Sequence, residues 1–131
     1  MPEVNWLAVV AAAASAFLLG GLWYSPALFL KAWQRGAGIT DDKMQKRHPA
    51  KVFGGSFVLS LIAAATCAMF LGKLPVGEAT TYGFIAGLCW VAASFGINYL
   101  FEQKSMTLFL VNGGYHTVQF TLYGLVLGLW H

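Results

Sequence analysis

Four long apolar runs constrain this chain most, at residues 5–24, 52–71, 80–101 and 106–130. A helix of about twenty apolar residues is long enough to cross the roughly 30 Å hydrocarbon core of a bilayer. Short connections make the first and second runs, and the third and fourth, antiparallel neighbours. The sequence therefore predicts an all-α integral membrane protein, a single domain of four transmembrane helices arranged as two antiparallel hairpins.

Composition supports the membrane class. Of the 131 residues, 58% are hydrophobic and only 10% are charged, whereas about 25% of residues are charged in an average soluble domain. The formal charge of +3 does not indicate nucleic-acid binding, because the basic residues cluster in one short loop between apolar runs. Such clustering is typical of an orientation signal in a membrane protein.

The positions of lysine and arginine predict the topology. Seven of the eight basic residues would lie on one side, six in the loop 26–51 and the seventh at Lys104, against Lys73 alone on the other side. Because basic loops stay in the cytoplasm, both termini are expected outside it. Three clustered side chains of that loop are also candidates for contact with anionic lipid headgroups. They are Lys46, Arg47 and Lys51.

The loop 26–51 contains further helix signals. Residues 26–36 are too few to span a bilayer, but their apolar and basic side chains separate onto two faces, which predicts a short helix at the membrane surface. Thr40 precedes Asp41 and Asp42, a pattern that predicts a helix N-cap with acidic first-turn residues. Capping, and not catalysis, is the favoured role of these two carboxylates.

A polar stripe interrupts the fourth apolar run. Asn112, His116, Gln119 and Tyr123 follow one another at helical spacing, so they share a face. Polar side chains inside a membrane span usually face protein or water and are candidates for function. Aligning the helix ends places Ser15 at about the depth of His116. The stripe is therefore the candidate ligand or proton site.

Two interpretations of His116 stay open. It is either the centre of a proton-linked or ligand-linked site, or a neutral histidine bonded to Asn112, Gln119 or a serine of a neighbouring helix. Ser56 and Ser60 share a face of the second run and can bond either their own backbone or a neighbour.

Glycines mark the expected helix contacts. Small residues let two helices approach closely in a membrane, where no hydrophobic driving force acts between them. Gly83 and Gly87 form a GxxxG pattern, and this face or the one at Gly20–Gly21 is predicted to mediate a homo-oligomer. The helix-packing candidates are Gly20, Gly21, Gly83, Gly87, Gly113 and Gly114.

Metal, cofactor and enzyme signals are weak. Zinc sites need three or four His, Cys or carboxylate ligands, and only His116 with the separated Cys67 and Cys89 is expected at depth. The acids that could orient His116 as a base lie at the predicted cytoplasmic side. We therefore predict no metal, no cofactor and no hydrolase site, and an enzyme is the least favoured class.

Several segments resemble one bacterial membrane protein family. They are Gly20-Gly21-Leu22-Trp23-Tyr24-Ser25-Pro26-Ala27-Leu28-Phe29, Asn98-Tyr99-Leu100-Phe101-Glu102, Gly114-Tyr115-His116 and Gly128-Leu129-Trp130. The family is "domain of unknown function 1761", and the resemblance covers nearly the whole chain. It implies a small four-helix protein of the bacterial inner membrane, without an assigned reaction or ligand.

Two function classes remain. The first is a small transport, channel or ligand-binding membrane module centred on His116, with an unknown small molecule or ion as ligand. The second is a structural or accessory protein that packs on itself or on larger partners in the bilayer. A water-accessible stripe would favour the first class, and a dry, fully packed stripe the second.

Overall fold

The computed structural model of the protein describes residues 4–130, and over that range the chain is helical without a strand. The helices α1 to α6 are Trp6–Trp23, Leu30–Ala37, Asp41–Gln45, Ala50–Leu71, Val76–Glu102 and Met106–Leu129. Two of them contain a π-helical stretch, at Ala50–Gly54 in α4 and at Ala86–Ala92 in α5.

Side-chain caps define the N-terminal ends of three helices. The side chains of Asn5, Thr40 and Ser105 each accept a hydrogen bond from a backbone N–H in the first turn of α1, α3 and α6. Each cap satisfies one of the otherwise unpaired N–H groups of a helix start. The predicted Thr40 cap, with Asp41 and Asp42 in the first turn, is confirmed.

Two predicted boundaries were wrong. Helix α2 begins at Leu30 and not at residue 26, because the chain first folds into tight turns in which the N–H of Phe29 donates to the carbonyl of Trp23. Helix α5 begins at Val76, earlier than predicted. Pro75 has an extended backbone and directly precedes the helix, and Gly77 lies within the first helical turn.

Three helices are long and apolar enough to cross a membrane, namely α1, α4 and α5. Their outward side chains are apolar, for example Leu18, Phe70 and Trp90, which are 74%, 81% and 70% exposed. Surfaces of this kind are compatible with contact to a lipid bilayer. Helix α6 has 24 residues but is not among the three, because its polar stripe lowers its hydropathy.

Helix α6 is the centre of the bundle. It packs against α1 and α2 on one side and along α5 on the other, while α4 lies mainly against α1. Small side chains fill the α1–α4 contact, where Ala12, Ala13 and Ala64 are fully buried. Alanine lets the helices come close, and close packing is what holds helices together in a membrane.

Glycines bring α5 and α6 into backbone contact. A Cβ atom on Gly83 would lie 2.3 Å from the carbonyl oxygen of Phe120, and one on Gly87 would lie 2.8 Å from that of His116. Gly124 approaches the carbonyl of Ala79 in the same way. The face predicted for self-association is thus occupied by α6 of the same chain, since a GxxxG pattern does not specify its partner. Of the alternative pair, Gly20 contacts the Tyr115 ring and only Gly21 is open.

Candidate functional site

The polar stripe of α6 faces the interior of the bundle. Tyr123 is fully buried and Gln119 is 8% exposed, while Asn112 and His116 are partly buried. Helix α1 lies along one flank of the stripe and α5 along the other, since Tyr115 bonds the carbonyl of Ala16 and Phe95 stacks on His116. The stripe therefore lies where three helices meet.

A continuous hydrogen-bond chain starts at His116. Its Nδ1 lies 2.5 Å from Gln119 Oε1, and Gln119 Nε2 donates to the hydroxyl of Tyr123 at 2.6 Å. The Tyr123 hydroxyl lies 2.6 Å from Ser60 Oγ, which donates to the carbonyl of Ala13 at 3.4 Å. The chain thus connects α6 to α4 and then to α1.

The direction of this chain determines the protonation of the histidine. The hydroxyl proton of Tyr123 is directed to Ser60, either to Oγ at 2.6 Å or to the backbone carbonyl at 3.4 Å. Tyr123 in turn accepts from the Gln119 amide, whose oxygen is left to accept from His116 Nδ1–H. In a neutral imidazole the other nitrogen is then an acceptor. His116 therefore presents an Nε2 lone pair that has no partner within residues 4–130.

Aromatic rings surround the imidazole. The ring of Phe95 stacks on it with centroids 4.8 Å apart and planes 9° from parallel. Tyr115 meets it edge-on at 5.0 Å. Aromatic contacts of this kind orient a ring and exclude water from its faces. Every fully buried side-chain nitrogen and oxygen of residues 4–130 has a hydrogen-bond partner, so Nε2, which has none, is not fully enclosed by these rings.

Asn112 belongs to a second network. Its Oδ1 accepts from the hydroxyl of Tyr24 at 2.6 Å, and its Nδ2 donates to the hydroxyl of Tyr99 at 2.7 Å. These bonds join the end of α1 to the C-terminal part of α5, so Asn112 and His116 share a face without bonding to each other. Because the Tyr99 oxygen accepts here, its own proton is left to donate, with no acceptor in the described part of the chain.

Of the three serines considered from the sequence, Ser60 alone bonds a neighbouring helix. Ser15 donates to the carbonyl of Ala12 in its own helix. Ser56 also bonds its own helix, whereas Ser60 reaches Tyr123. Sequence spacing marked Ser60 as able to bond a neighbour, but it could not select it over Ser15 or Ser56. The aromatic partners Phe95 and Tyr99 of α5 and Tyr24 at the end of α1 were missed, because spacing within α6 does not reveal contacts with other helices.

The remaining candidates lie apart from the stripe. Lys46 pairs with Asp42 at 3.1 Å, and the Arg47 guanidinium lies 5.0 Å from the centre of the Phe53 ring. Gly113 packs against Ala92, and Gly114 against Trp23. Between residues 4 and 130, no three His, Cys, Asp or Glu side chains lie close enough to hold a metal ion.

Fold and site together define a class, a small helical bundle with an apolar exterior and a histidine-centred polar stripe inside. The chain matches a family model described as "Protein of unknown function (DUF1761)" over residues 7–128. It therefore belongs to this family, as its motifs indicated. No curated protein and no solved structure matches the chain.

Proposed function

We propose that the protein is a multi-pass membrane protein that binds a small, membrane-soluble ligand at His116. The supporting observation is the Gln119 amide, which donates to Tyr123 and accepts from His116 Nδ1–H, and so leaves Nε2 as an acceptor beside aromatic rings. A ligand with a hydroxyl or N–H group matches that acceptor. The spare hydroxyl proton of Tyr99, whose ring lies 5.7 Å from that of Phe95, offers a donor nearby.

The proposed setting is a bacterial inner membrane crossed four times, with α6 as the fourth span. Helix α6 is longer than α1, and the polar stripe that lowers its hydropathy is directed toward its neighbours. A span whose polar groups are paired inside the protein avoids the large cost of exposing them to hydrocarbon. In this arrangement His116 lies near the middle of the bilayer.

One observation favours a structural or accessory role as the second candidate. Within residues 4–130, no buried side-chain nitrogen or oxygen is without a hydrogen-bond partner. The two networks also join α6 to α1, α4 and α5. On this proposal His116 serves to hold the helices in register and takes no ligand.

A single comparison separates the two candidates. Wild-type protein, His116→Ala and the control His48→Asn are purified from bacterial membranes, and small molecules released on denaturation are identified by mass spectrometry. Thermal unfolding is recorded on the same samples. His48 is exposed and lies outside the bundle helices, and its Nδ1 accepts from the Lys51 N–H at the start of α4, a bond that asparagine can replace.

For a ligand site we expect a small molecule other than bulk membrane lipid in wild-type and His48→Asn samples, absent from His116→Ala. For a structural role we expect equal extracts and a lower melting temperature for His116→Ala alone, because Gln119 loses its partner. Equal extracts from all three proteins would exclude the binding function.

A further inference from the structure

A cleft opens where α2 turns into α3. It has a volume of about 560 Å³, and its walls include Lys31, Gln34 and Arg35 from α2 with Thr40 and Asp41 from the start of α3. Lys31 and Arg35 are separated by one helical turn, so the Lys31 ammonium and the Arg35 guanidinium lie on the same side of the cleft. The cleft lies outside the His116 site and was not recognised from the sequence.

The charges of the cleft are unbalanced. Neither Lys31 nor Arg35 forms an ion pair with another residue of the range 4–130. The one carboxylate of the lining, Asp41, accepts a hydrogen bond from Gln34 Nε2 at 2.8 Å. Two cations and one carboxylate leave a single net positive charge. A phosphodiester carries one negative charge and several acceptor oxygens, which guanidinium and ammonium groups bind well.

The cleft lies at the level of the helix ends. Gly36 packs α2 against Leu108 in the first turn of α6, and the Trp33 ring lies 5.8 Å from that of Tyr24 at the end of α1. Just before α2, Leu28 and Phe29 are 47% and 36% exposed. If the long helices span the bilayer, these apolar side chains face the acyl chains and the cleft faces the headgroups.

We infer that this cleft binds the phosphodiester of an anionic phospholipid headgroup, with Lys31 and Arg35 as its ligands. The cluster expected from the sequence fits this role less well, because Lys46 is paired with Asp42 and Arg47 lies over Phe53. The inference rests on the proposed membrane setting but not on His116 or on orientation, since the cleft meets a headgroup layer in either orientation.

The test uses the full chain in nanodiscs made from equal parts of phosphatidylglycerol and phosphatidylcholine. Native mass spectrometry then counts the lipids that stay bound after mild release. Wild type is compared with Lys31→Gln/Arg35→Gln and with the control pair Lys46→Gln/Arg47→Gln, which removes the same charge outside the cleft. All four side chains are exposed, so we expect all three proteins to fold equally well, and circular dichroism checks this.

We expect wild type to retain phosphatidylglycerol selectively. A basic side chain near an anionic surface contributes about 1 kcal/mol, so each lost cation should weaken retention about fivefold and both about thirtyfold. The control pair should keep the wild-type preference. Equal losses in both double variants, or no preference in wild type, would overturn the inference in favour of diffuse attraction to the basic loop.

A competition arm identifies the source of the phosphodiester. Glycerophosphoglycerol, the headgroup without acyl chains, is added at millimolar concentration. Retained lipid despite the competitor assigns the cleft to a membrane lipid. If the competitor displaces the lipid from wild type, and its own binding requires Lys31 and Arg35, the binding site is the same. The natural ligand is then a soluble phosphodiester. If the protein does not enter nanodiscs, the proposed membrane setting is wrong. This outcome is observed before any lipid is counted, so it is distinct from a failure of the lipid site.

Discussion

At the residue scale, the Gln119 amide decides the tautomer of the His116 imidazole. The amide Nε2 donates to Tyr123, so the amide oxygen is left to accept from His116 Nδ1–H. Ser60 and Ala13 continue the chain into α4 and α1. Helical spacing in the sequence was enough to place three of these side chains on one face. It could not reveal Ser60 or Ala13 as partners, because cross-helix contacts depend on how each helix is rotated and crossed.

Removal of the Tyr123 hydroxyl tests this chain. In Tyr123→Phe, the Gln119 amide and Ser60 Oγ each lose a partner at 2.6 Å. Interhelical hydrogen bonds in membranes contribute about 0.6 kcal/mol on average, and a buried group left unpaired costs about 1–3 kcal/mol. We expect the free energy of unfolding, measured by denaturant titration in detergent, to fall by about 1–2 kcal/mol.

Tyr82→Phe is the matched control for that measurement. Tyr82 is also a tyrosine of a long helix, but it is 49% exposed and its hydroxyl bonds no other residue of the described chain. It should unfold within about 0.5 kcal/mol of wild type, as surface substitutions usually do. If both variants unfold like wild type, the hydrogen-bond chain through Tyr123 does not contribute to the stability of the protein.

At the element scale, the sequence predicted glycine-mediated helix contacts but not the helix that makes them. The sequence offered Gly83 and Gly87, or Gly20–Gly21, for contact with a second copy, and the structure places α6 of the same chain against the first pair. The reason is physical, because a glycine pair permits close approach to any helix and carries no information about its identity. Caps were more predictable, since Thr40 acts on an N–H three residues away.

Alanine substitution at two glycines of α5 tests this packing. In Gly83→Ala the new Cβ would lie 2.3 Å from the Phe120 carbonyl oxygen, a backbone atom that cannot move aside without shifting α6. We expect a loss of about 1–3 kcal/mol in the free energy of unfolding. In Gly77→Ala the Cβ meets nothing within 4 Å, so higher helix propensity should leave stability unchanged or raised by about 0.5–1 kcal/mol.

The same pair of variants separates packing from self-association. If α6 is the true partner of Gly83, the destabilisation of Gly83→Ala is independent of protein concentration. A loss of stability that appears only on dilution would instead place a second copy on this face. Equal behaviour of Gly83→Ala and Gly77→Ala would show that the close α5–α6 approach is absent.

At the scale of the whole molecule, the two ends of the bundle differ in charge. At one end, Asn5 Nδ2 donates to the Trp130 carbonyl. Asn5, Trp130 and Lys73 line a cavity of about 240 Å³ at this end. Helix α2, with Lys31 and Arg35, packs at the opposite end of α6 against Leu108. Charge counting could predict this asymmetry because it depends only on chain order, whereas the cleft beside α2 depends on how α2 and α3 fold against each other.

Orientation in the membrane is the last prediction, and it follows from this asymmetry. Basic loops are retained in the cytoplasm, so the end with α2 and α3 should face inward and the end with Lys73 outward.

Cysteine labelling tests this orientation. In a protein with Cys67→Ala and Cys89→Ala, Lys46→Cys and Lys73→Cys are introduced singly. Both positions are exposed and lie outside the helices. In intact spheroplasts a membrane-impermeant maleimide should label residue 73, and residue 46 should react only after permeabilisation. The reverse pattern would invert the topology. Labelling of both positions from outside would show that α4, which separates them, does not cross the membrane.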